Sequence, residues 1–435
     1  MSLFEGEQVE LTIEKPASGG RMIARHLGQV VLVRGAIPGE RVRAWVERAE
    51  KRMAYAVTRE VVEPSPDRRP GGDDPLCGGA LYSHIAYARQ LAIKSDVIRD
   101  AFGRLGRCPI DHPIEVAGSP EEGYRMRARF HLHGGRAGFY REGTHQLCDA
   151  AATKQLKPGT IEAVNRLAAS LDREAPGGAV SITMTENIAG DERAAHLELA
   201  PRARIGDAAL ERAASDAQLP GISAQEPATG ELRAIGAPAV SDPLSAITRD
   251  RAPHGTLRRR AASFFQGNRY LLASLALAVA DAVPDAGEVL DLYAGVGLFS
   301  IVLAALGRQE VTAVEGDRIA GADLRENARP YAPRVEVQVA SVEACLASRA
   351  RTRRAAALIL DPPRTGLSKE AADSIVRLAP ARLVYVSCDP PTLARDARRL
   401  LDAGYTLDAL RAFDFFPNTP HVESLATFVR RAANP

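Results

Sequence analysis

The sequence predicts an α/β protein in three parts: a small all-β barrel, a mixed α+β middle region, and a C-terminal domain on a mostly parallel sheet with helices on both faces. Three observations carry this. Short alternating runs separated by Gly and Pro turns fill residues 1–62. Pro, Gly and charged residues dominate the stretch after them. From about residue 255, apolar strands alternate with helical segments. The organisation read from this is a barrel over 1–62, a linker and helical segment over 63–123, a central domain over 124–254 and a C-terminal domain over 255–435.

In the first part, alternating runs at Gln8–Ile13, Gln29–Val33, Arg41–Val46 and Tyr55–Val61 are separated by Ser18-Gly19-Gly20 and Ile37-Pro38-Gly39. Several short strands at this spacing suggest a small barrel of a kind that often binds nucleic acid. Glu63–Pro75 has almost nothing to bury and reads as a linker. Tyr82–Leu105 has helical periodicity. Tyr124–Tyr140 alternates again, with Arg125, Arg127 and Arg129 on one strand face. In the last part, strands are expected at Glu288–Tyr293, Glu310–Glu315, Val335–Val339, Ala356–Leu360 and Leu383–Ser387, with helices between them.

Bulk composition excludes little. Among 435 residues, 56 Lys and Arg face 54 Asp and Glu, so a polyanion can be held only by local basic patches. Leu271–Val283 is too short and Ala-rich to span a bilayer and reads as a buried helix, so no membrane partner is expected. The five cysteines, Cys77, Cys108, Cys148, Cys345 and Cys388, are scattered without metal-ligand spacing. No disulfide framework is expected in a chain of this size, and a reduced cytoplasmic setting fits best.

The segment from Val289 to Ser300 is a buried strand, a Gly turn and a helix start. Gly295 and Gly297 let the backbone turn sharply and approach a ligand without a Cβ in the way. Twenty residues past Gly295 the next strand ends in Glu315, whose carboxylate can accept from two ribose hydroxyls. A dinucleotide fold wants a third glycine where Ser300 stands. Asp291 before the turn and the strand-end acid after it form the usual pattern for S-adenosylmethionine.

Three further segments each follow an apolar strand, at the ligand edge of such a sheet. They are Asp361-Pro362-Pro363-Arg364-Thr365-Gly366, Ser387-Cys388-Asp389-Pro390, and Phe413 to Glu423. A thiolate adding to C6 of uracil makes C5 nucleophilic, and a base must then remove the C5 proton. Cys388, Glu423 and the Gly turn supply that kit. Taken singly, Cys388 reads equally as an unreactive thiol, Glu423 as a capping acid, His421 as a structural histidine or a base, and Asp361 as a helix cap.

These residues resemble the RNA uracil-C5 methyltransferases, which make 5-methyluridine in rRNA and tRNA, over nearly the whole chain. The N-terminal module resembles a TRAM domain, an oligonucleotide-fold barrel. Tyr124–Ala128 resembles the family's YRNRA, Ser263–Asn268 its FFQxN, and Asp361–Gly366 its DPPRTG. Val386–Asp396 and Phe413–Glu423 are similar to its last two signatures, departing at Asn418, where His, Gln or Tyr is usual. The resemblance implies a Rossmann-like class I methyltransferase domain. It implies Cys388 as nucleophile, Glu423 as base, and Gln266, Tyr293, Glu315 and Asp361 as cofactor contacts, with Gln266 and Asp361 also near the target base. Leu298 and Ser341 stand where the family can have Asn.

Some members bind a 4Fe–4S cluster through four cysteines. Only Cys77 matches here, with Gly71, Ala80 and Thr153 at the other positions, so no iron–sulfur cluster and no metal site is expected and Cys77 becomes a relic or packing residue. RNA is the expected partner, rRNA favoured over tRNA, met by a monomer through Arg125, Arg127 and Arg129, Arg258-Arg259-Arg260, and Arg351–Arg354. A tRNA methyltransferase, a methyltransferase of another substrate, and a non-catalytic RNA-binding protein on a vestigial fold are the alternatives.

Overall fold

The computed structural model describes residues 3–72, 74–307, 310–349 and 355–431. Strands β1 (Gln8–Pro16), β2 (Met22–His26), β3 (Gln29–Arg34), β4 (Arg41–Ala49) and β5 (Met53–Glu63) close into a barrel in the order β1-β2-β3-β5-β4. The inward faces supply Leu11, Ile13, Val31, Val33, Val42 and Ala54, all nearly inaccessible. Strand β2 is absent from the sequence reading, because Met22–His26 is short and follows directly on the Gly19-Gly20 turn.

The stretch read as a linker is pinned. Arg68 pairs with the fully buried Glu40 at 2.6 Å, and Arg69 pairs with Glu121. Its charges have partners inside the fold, which composition alone does not reveal. Helix α1 (Tyr87–Arg104) and the short strand β6 (Val116–Ala117) then join the C-terminal domain: Ile98, Ala101, Phe102 and Ile114 lie in its core.

The central domain contains β7 (Arg127–His133), β8 (Arg136–Tyr140), β9 (Leu147–Cys148), α2 (Pro158–Glu174), β10 (Ala179–Glu186), β11 (Arg193–Leu199), α3 (Asp207–Asp216), β12 (Gly221–Gln225) and β13 (Leu232–Gly236). Its sheet runs β13-β12-β11-β10-β7-β8-β9. Helices α2 and α3 cover one face through Val164, Leu167, Leu171 and Leu210.

One expectation fails here. Cys77 is disulfide-bonded to Cys148, with Cα atoms 5.6 Å apart. The two lie 71 residues apart in sequence, which hides the pairing. The fold joins them because Cys77 bridges Arg141 while the β8–β9 pair returns Cys148 beside Phe139. Cys77 therefore does more than pack, and two of the five cysteines are joined in a disulfide. Cys108, Cys345 and Cys388 are free.

After β14 (Ala239–Pro243), α4 (Leu244–Thr248) and β15 (Thr256–Arg260), the last domain alternates α5 (Leu272–Ala282), β16 (Val289–Leu292), α6 (Leu298–Ala305), β17 (Val311–Glu315), α7 (Arg318–Ala328), β18 (Val335–Val339), α8 (Val342–Ser348), β19 (Ala357–Leu360), α9 (Lys369–Leu378), β20 (Arg382–Ser387) and α10 (Pro390–Asp402). Strands β21 (Tyr405–Phe413) and β22 (Glu423–Arg430) complete an eight-stranded sheet of order β18-β17-β16-β19-β20-β22-β21-β6. Strands β16 to β20 pair in parallel and β22 is antiparallel to both neighbours. Two apolar layers sandwich the sheet. Among the described residues no helix is long and apolar enough to cross a membrane.

Candidate active site

Strand order places the reversal of the sheet between β16 and β19, and the ligand edge opens beyond their carboxyl ends. Asp291 in β16 is completely buried. It accepts from the backbone N–H of Ser300 at 3.0 Å and from the Ser300 hydroxyl, while its Oδ1 has no partner. Burial pushes its pKa up to about 7. Ser300 thus explains itself: where a dinucleotide fold has glycine, this chain needs a donor to Asp291.

Tyr293 and Gly295 both take positive φ, 64° and 57°. A Cβ on Gly295 would meet nothing within 4 Å, so the turn faces open space. Gly297 is different, since a Cβ there would lie 2.6 Å from Leu324 Cδ1 and obstruct helix packing. Glu315, at the tip of β17, accepts from the N–H groups of Gly295 at 2.7 Å and Asp317 at 2.6 Å. Tyr293 packs toward the layer containing Tyr385, and its hydroxyl proton is held by burial and by Glu343 and Asp396. Leu298 is buried in α6 and Ser341 caps α8, accepting from Ala344 N–H.

Asp361 directly follows β19 and accepts from Gln266 Nε2 at 3.2 Å. Burial first, then repulsion from Asp291, pushes its pKa up to about 7. Glu423, the first residue of β22, is buried, and burial plus repulsion from Asp361 holds its pKa well above the carboxylate range. Cys388 is half-buried after β20. Burial and then Glu423 push its thiol up to about 11, while the positive charge of Arg364 pulls it down. The expected nucleophile, base and two of the expected contacts therefore form one electrostatic group. Gly295 and Glu315 form a second, connected to it through Asp291.

The turn carrying Cys388 is locked by its neighbours. Ser387 Oγ and Asp389 exchange hydrogen bonds at 3.2 Å, and Asp389 caps α10 by accepting from Thr392 N–H at 2.9 Å. Buried Asp396 on α10 accepts from Leu367 N–H at 2.9 Å and Tyr385 OH at 2.8 Å, tying the Arg364 loop to the helix. Gly366, at φ 77°, lets that loop lie against α10, for a Cβ would come 2.4 Å from Thr392 Cγ2.

The loop before Glu423 is held from outside its own domain. Lys94 on α1 pairs with Asp414, and Asn418 Oδ1 accepts from Gln90 and Arg69. Asn418 has φ 64°, a conformation Asn tolerates, so its departure from the family's usual residues has a backbone reason. His421 is neutral at pH 7, its pKa lowered to about 4 by burial and by Arg364, Lys94 and Arg125. Sequence reading missed Lys94, Gln90 and Arg364. Lys94 carried a signal, a charge among Ile93, Val97 and Ile98 on an apolar helix face.

The basic segments divide. Arg258, Arg259 and Arg260 pair with Glu326, Asp242 and Asp323 and so hold the fold together. Arg351–Arg354 lie outside the described residues.

Comparison with known proteins places this architecture. A TRAM domain model matches residues 3–58, and a tRNA (uracil-5-)-methyltransferase model matches residues 350–431. The chain is 32% identical to the 23S rRNA (uracil(1939)-C(5))-methyltransferase RlmD of Alkalilimnicola ehrlichii, covering 98% of this chain and 97% of that protein. The Pseudomonas putida protein of the same name is also 32% identical, over 97% and 94% of the two chains. In three dimensions the chain is similar to the Pyrococcus abyssi tRNA (uracil-54, C5)-methyltransferase in complex with S-adenosyl-L-homocysteine. That match has a TM-score of 0.75, 25% identity, and coverage of 96% of this chain and 99% of that one. The chain belongs to the RNA uracil-C5 methyltransferase family.

Proposed function

We propose that this protein transfers a methyl group from S-adenosylmethionine to C5 of one uridine in 23S rRNA, with Cys388 as nucleophile and Glu423 as base. The observation that carries the reading is that Asp361 just past β19, Cys388 just past β20 and Glu423 at the start of β22 stand at one edge of three neighbouring strands.

The residues fit S-adenosylmethionine. Gly295 faces open space, Asp291 keeps a buried oxygen without a partner, and Glu315 stands at the next strand tip. Gln266, Tyr293, Gly295, Gly297, Glu315 and Asp361 would hold the cofactor, which when bound supplies an electrophilic methyl group on a sulfonium.

The remaining work falls to the chain. Cys388 Sγ, as thiolate, bonds to uracil C6; the C5–C6 π electrons move to C5 and O4, and C5 becomes the nucleophile that is methylated. Glu423 then accepts the C5 proton. That C–H pair re-forms the C5–C6 double bond, the S–C6 bond breaks, and Cys388 leaves as thiolate. The positive charge of Arg364 stabilises the thiolate, against burial and the nearby carboxylates. Burial and Asp361 raise the proton affinity of Glu423, which favours its taking the C5 proton. The target base must leave its stack to reach this edge.

RNA containing 5-fluorouridine tests the reading. Fluorine cannot leave as a proton, so a denaturant-stable adduct at Cys388 is expected with S-adenosylmethionine. No adduct with rRNA or tRNA, or one that survives Cys388→Ala, overturns it. The preference for rRNA is supported by the full-length similarity to the RlmD proteins; methylation of a tRNA transcript in preference to 23S rRNA fragments would replace it. The reading assigns no iron–sulfur cluster. About four thiolates are needed, whereas Cys77 is bonded to Cys148 and Gly71, Ala80 and Thr153 offer none. Stoichiometric iron and sulfide in anaerobically purified protein would contradict this.

A further inference from the structure

Three arginines alternate along the segment that opens the central domain, and the fold treats them differently. Arg129 pairs with Glu198 on β11, both side chains about half exposed. Arg125 and Arg127 have no carboxylate partner among the described residues. Arg125 donates through Nε to the Arg127 carbonyl at 2.9 Å and through Nη1 to Gln155 Oε1 at 2.7 Å, both neutral acceptors. Arg127 Nε is buried with no hydrogen-bond partner at all.

Both guanidiniums lie over aromatic rings that are close in sequence to site residues. Arg125 is 5.5 Å from the Phe416 ring centroid, and Phe416 meets His421 edge-to-face at 5.9 Å. Arg127 is 5.5 Å from the Phe264 centroid. Phe264 is 64% exposed although it stands two residues before the buried Gln266. Taking a guanidinium out of water is costly, and proteins ordinarily offset it with a carboxylate. Here burial first, and then repulsion from Arg125 and Arg259, lowers the pKa of Arg127 to about 10, which leaves it charged at neutral pH. Two adjacent cations without a counter-ion make a standing positive potential that an anion completes.

We infer that Arg125 and Arg127 form a phosphate subsite that seats the RNA backbone beside the target uridine, with the exposed Phe264 ring available to an adjacent base. The inference rests on the RNA reading above and selects two cations from the basic runs, since the ion-paired Arg129 and Arg258–Arg260 are already neutralised.

The test is the salt dependence of binding, measured with a 23S rRNA fragment and the full-length protein without cofactor. Arg127→Met and Arg125→Met keep an aliphatic stem over the rings. Each is expected to raise Kd about tenfold near physiological salt and to reduce the slope of log Kd against log salt by roughly one. Arg127→Lys is expected to regain most of the slope, and Arg129→Met to leave it unchanged. Thermal melts of each variant report folding separately. A weakened Kd with an unchanged slope in Arg127→Met assigns a structural role and overturns the inference. So does stabilisation of the wild type by inorganic phosphate alone with no slope change, which assigns a small anion. Failure of the methylation reading shows itself elsewhere, as a missing fluorouridine adduct in the wild-type protein, and leaves the slope measurement valid.

Discussion

Lys94 Nζ lies 2.5 Å from Asp414 Oδ1, and neither side chain reaches solvent. This ion pair joins α1 to the loop that ends at Glu423. Removing one partner of a buried pair typically costs about 3–5 kcal/mol. Lys94→Met is expected to destabilise by that order and to make stability depend on pH. Burial already raises the Asp414 pKa against the pull of Lys94. Without the lysine it rises further above its unfolded value of about 3.9. The deficit should therefore be small near pH 4 and grow as pH rises toward the folded pKa. Urea melts at several pH values check this, and Lys94→Met/Asp414→Leu should recover most of the loss.

Thiol reactivity reports the electrostatics of the site. With its pKa near 11, Cys388 should be alkylated slowly at pH 7.5 and faster toward pH 10. Arg364→Met removes the stabilising positive charge and should slow alkylation. Glu423→Gln removes a repelling carboxylate and should speed it wherever Glu423 is ionised. Peptide mass spectrometry separates Cys388 from the other free thiols.

Glu423→Gln should also trap the reaction after methyl transfer. We expect a covalent RNA adduct on ordinary uridine and turnover lower by about 10²–10⁴, the usual contribution of a general base. Single-turnover kinetics with gel analysis measures both. Unchanged turnover would remove Glu423 from the mechanism.

The barrel approaches the catalytic loop at Gly20. Gly20 has φ 95°, and a Cβ there would lie 2.9 Å from Pro420 Cγ, three residues before Glu423. Gly20→Ala should lower methylation several-fold while the other contacts of the barrel remain. Rates at saturating RNA beside thermal melts test whether a turn in the N-terminal barrel positions the base.

The Cys77–Cys148 bond closes a long loop, and such cross-links contribute about 2–4 kcal/mol, chiefly by restricting the unfolded chain. Cys148→Ser, or reduction of the wild type, should lower stability by that order. The same reductant should leave the melting temperature of Cys148→Ser unchanged, as calorimetry would show.

The ligand edge was legible because its signals are local. Gly295 and Glu315 sit on a strand–turn–helix pattern that sequence displays directly, and Cys388 and Asp361 each follow a continuous apolar strand. Strand β2 and the pinned 63–75 stretch were not legible, because a five-residue strand beside a Gly turn and a charged, Pro-rich run look the same in sequence whether packed or free.

From sequence came residue types, strand-end positions and the family they match; these depend on spacing of one to twenty residues and survive without a fold. Pairings across tens or hundreds of residues came only from three dimensions: Cys77 with Cys148 and Lys94 with Asp414. The same holds for charge. Sequence counts arginines in runs, but whether a guanidinium is neutralised, as Arg129 is by Glu198, or has no counter-ion among the described residues, as with Arg127, depends on what a distant strand places opposite it.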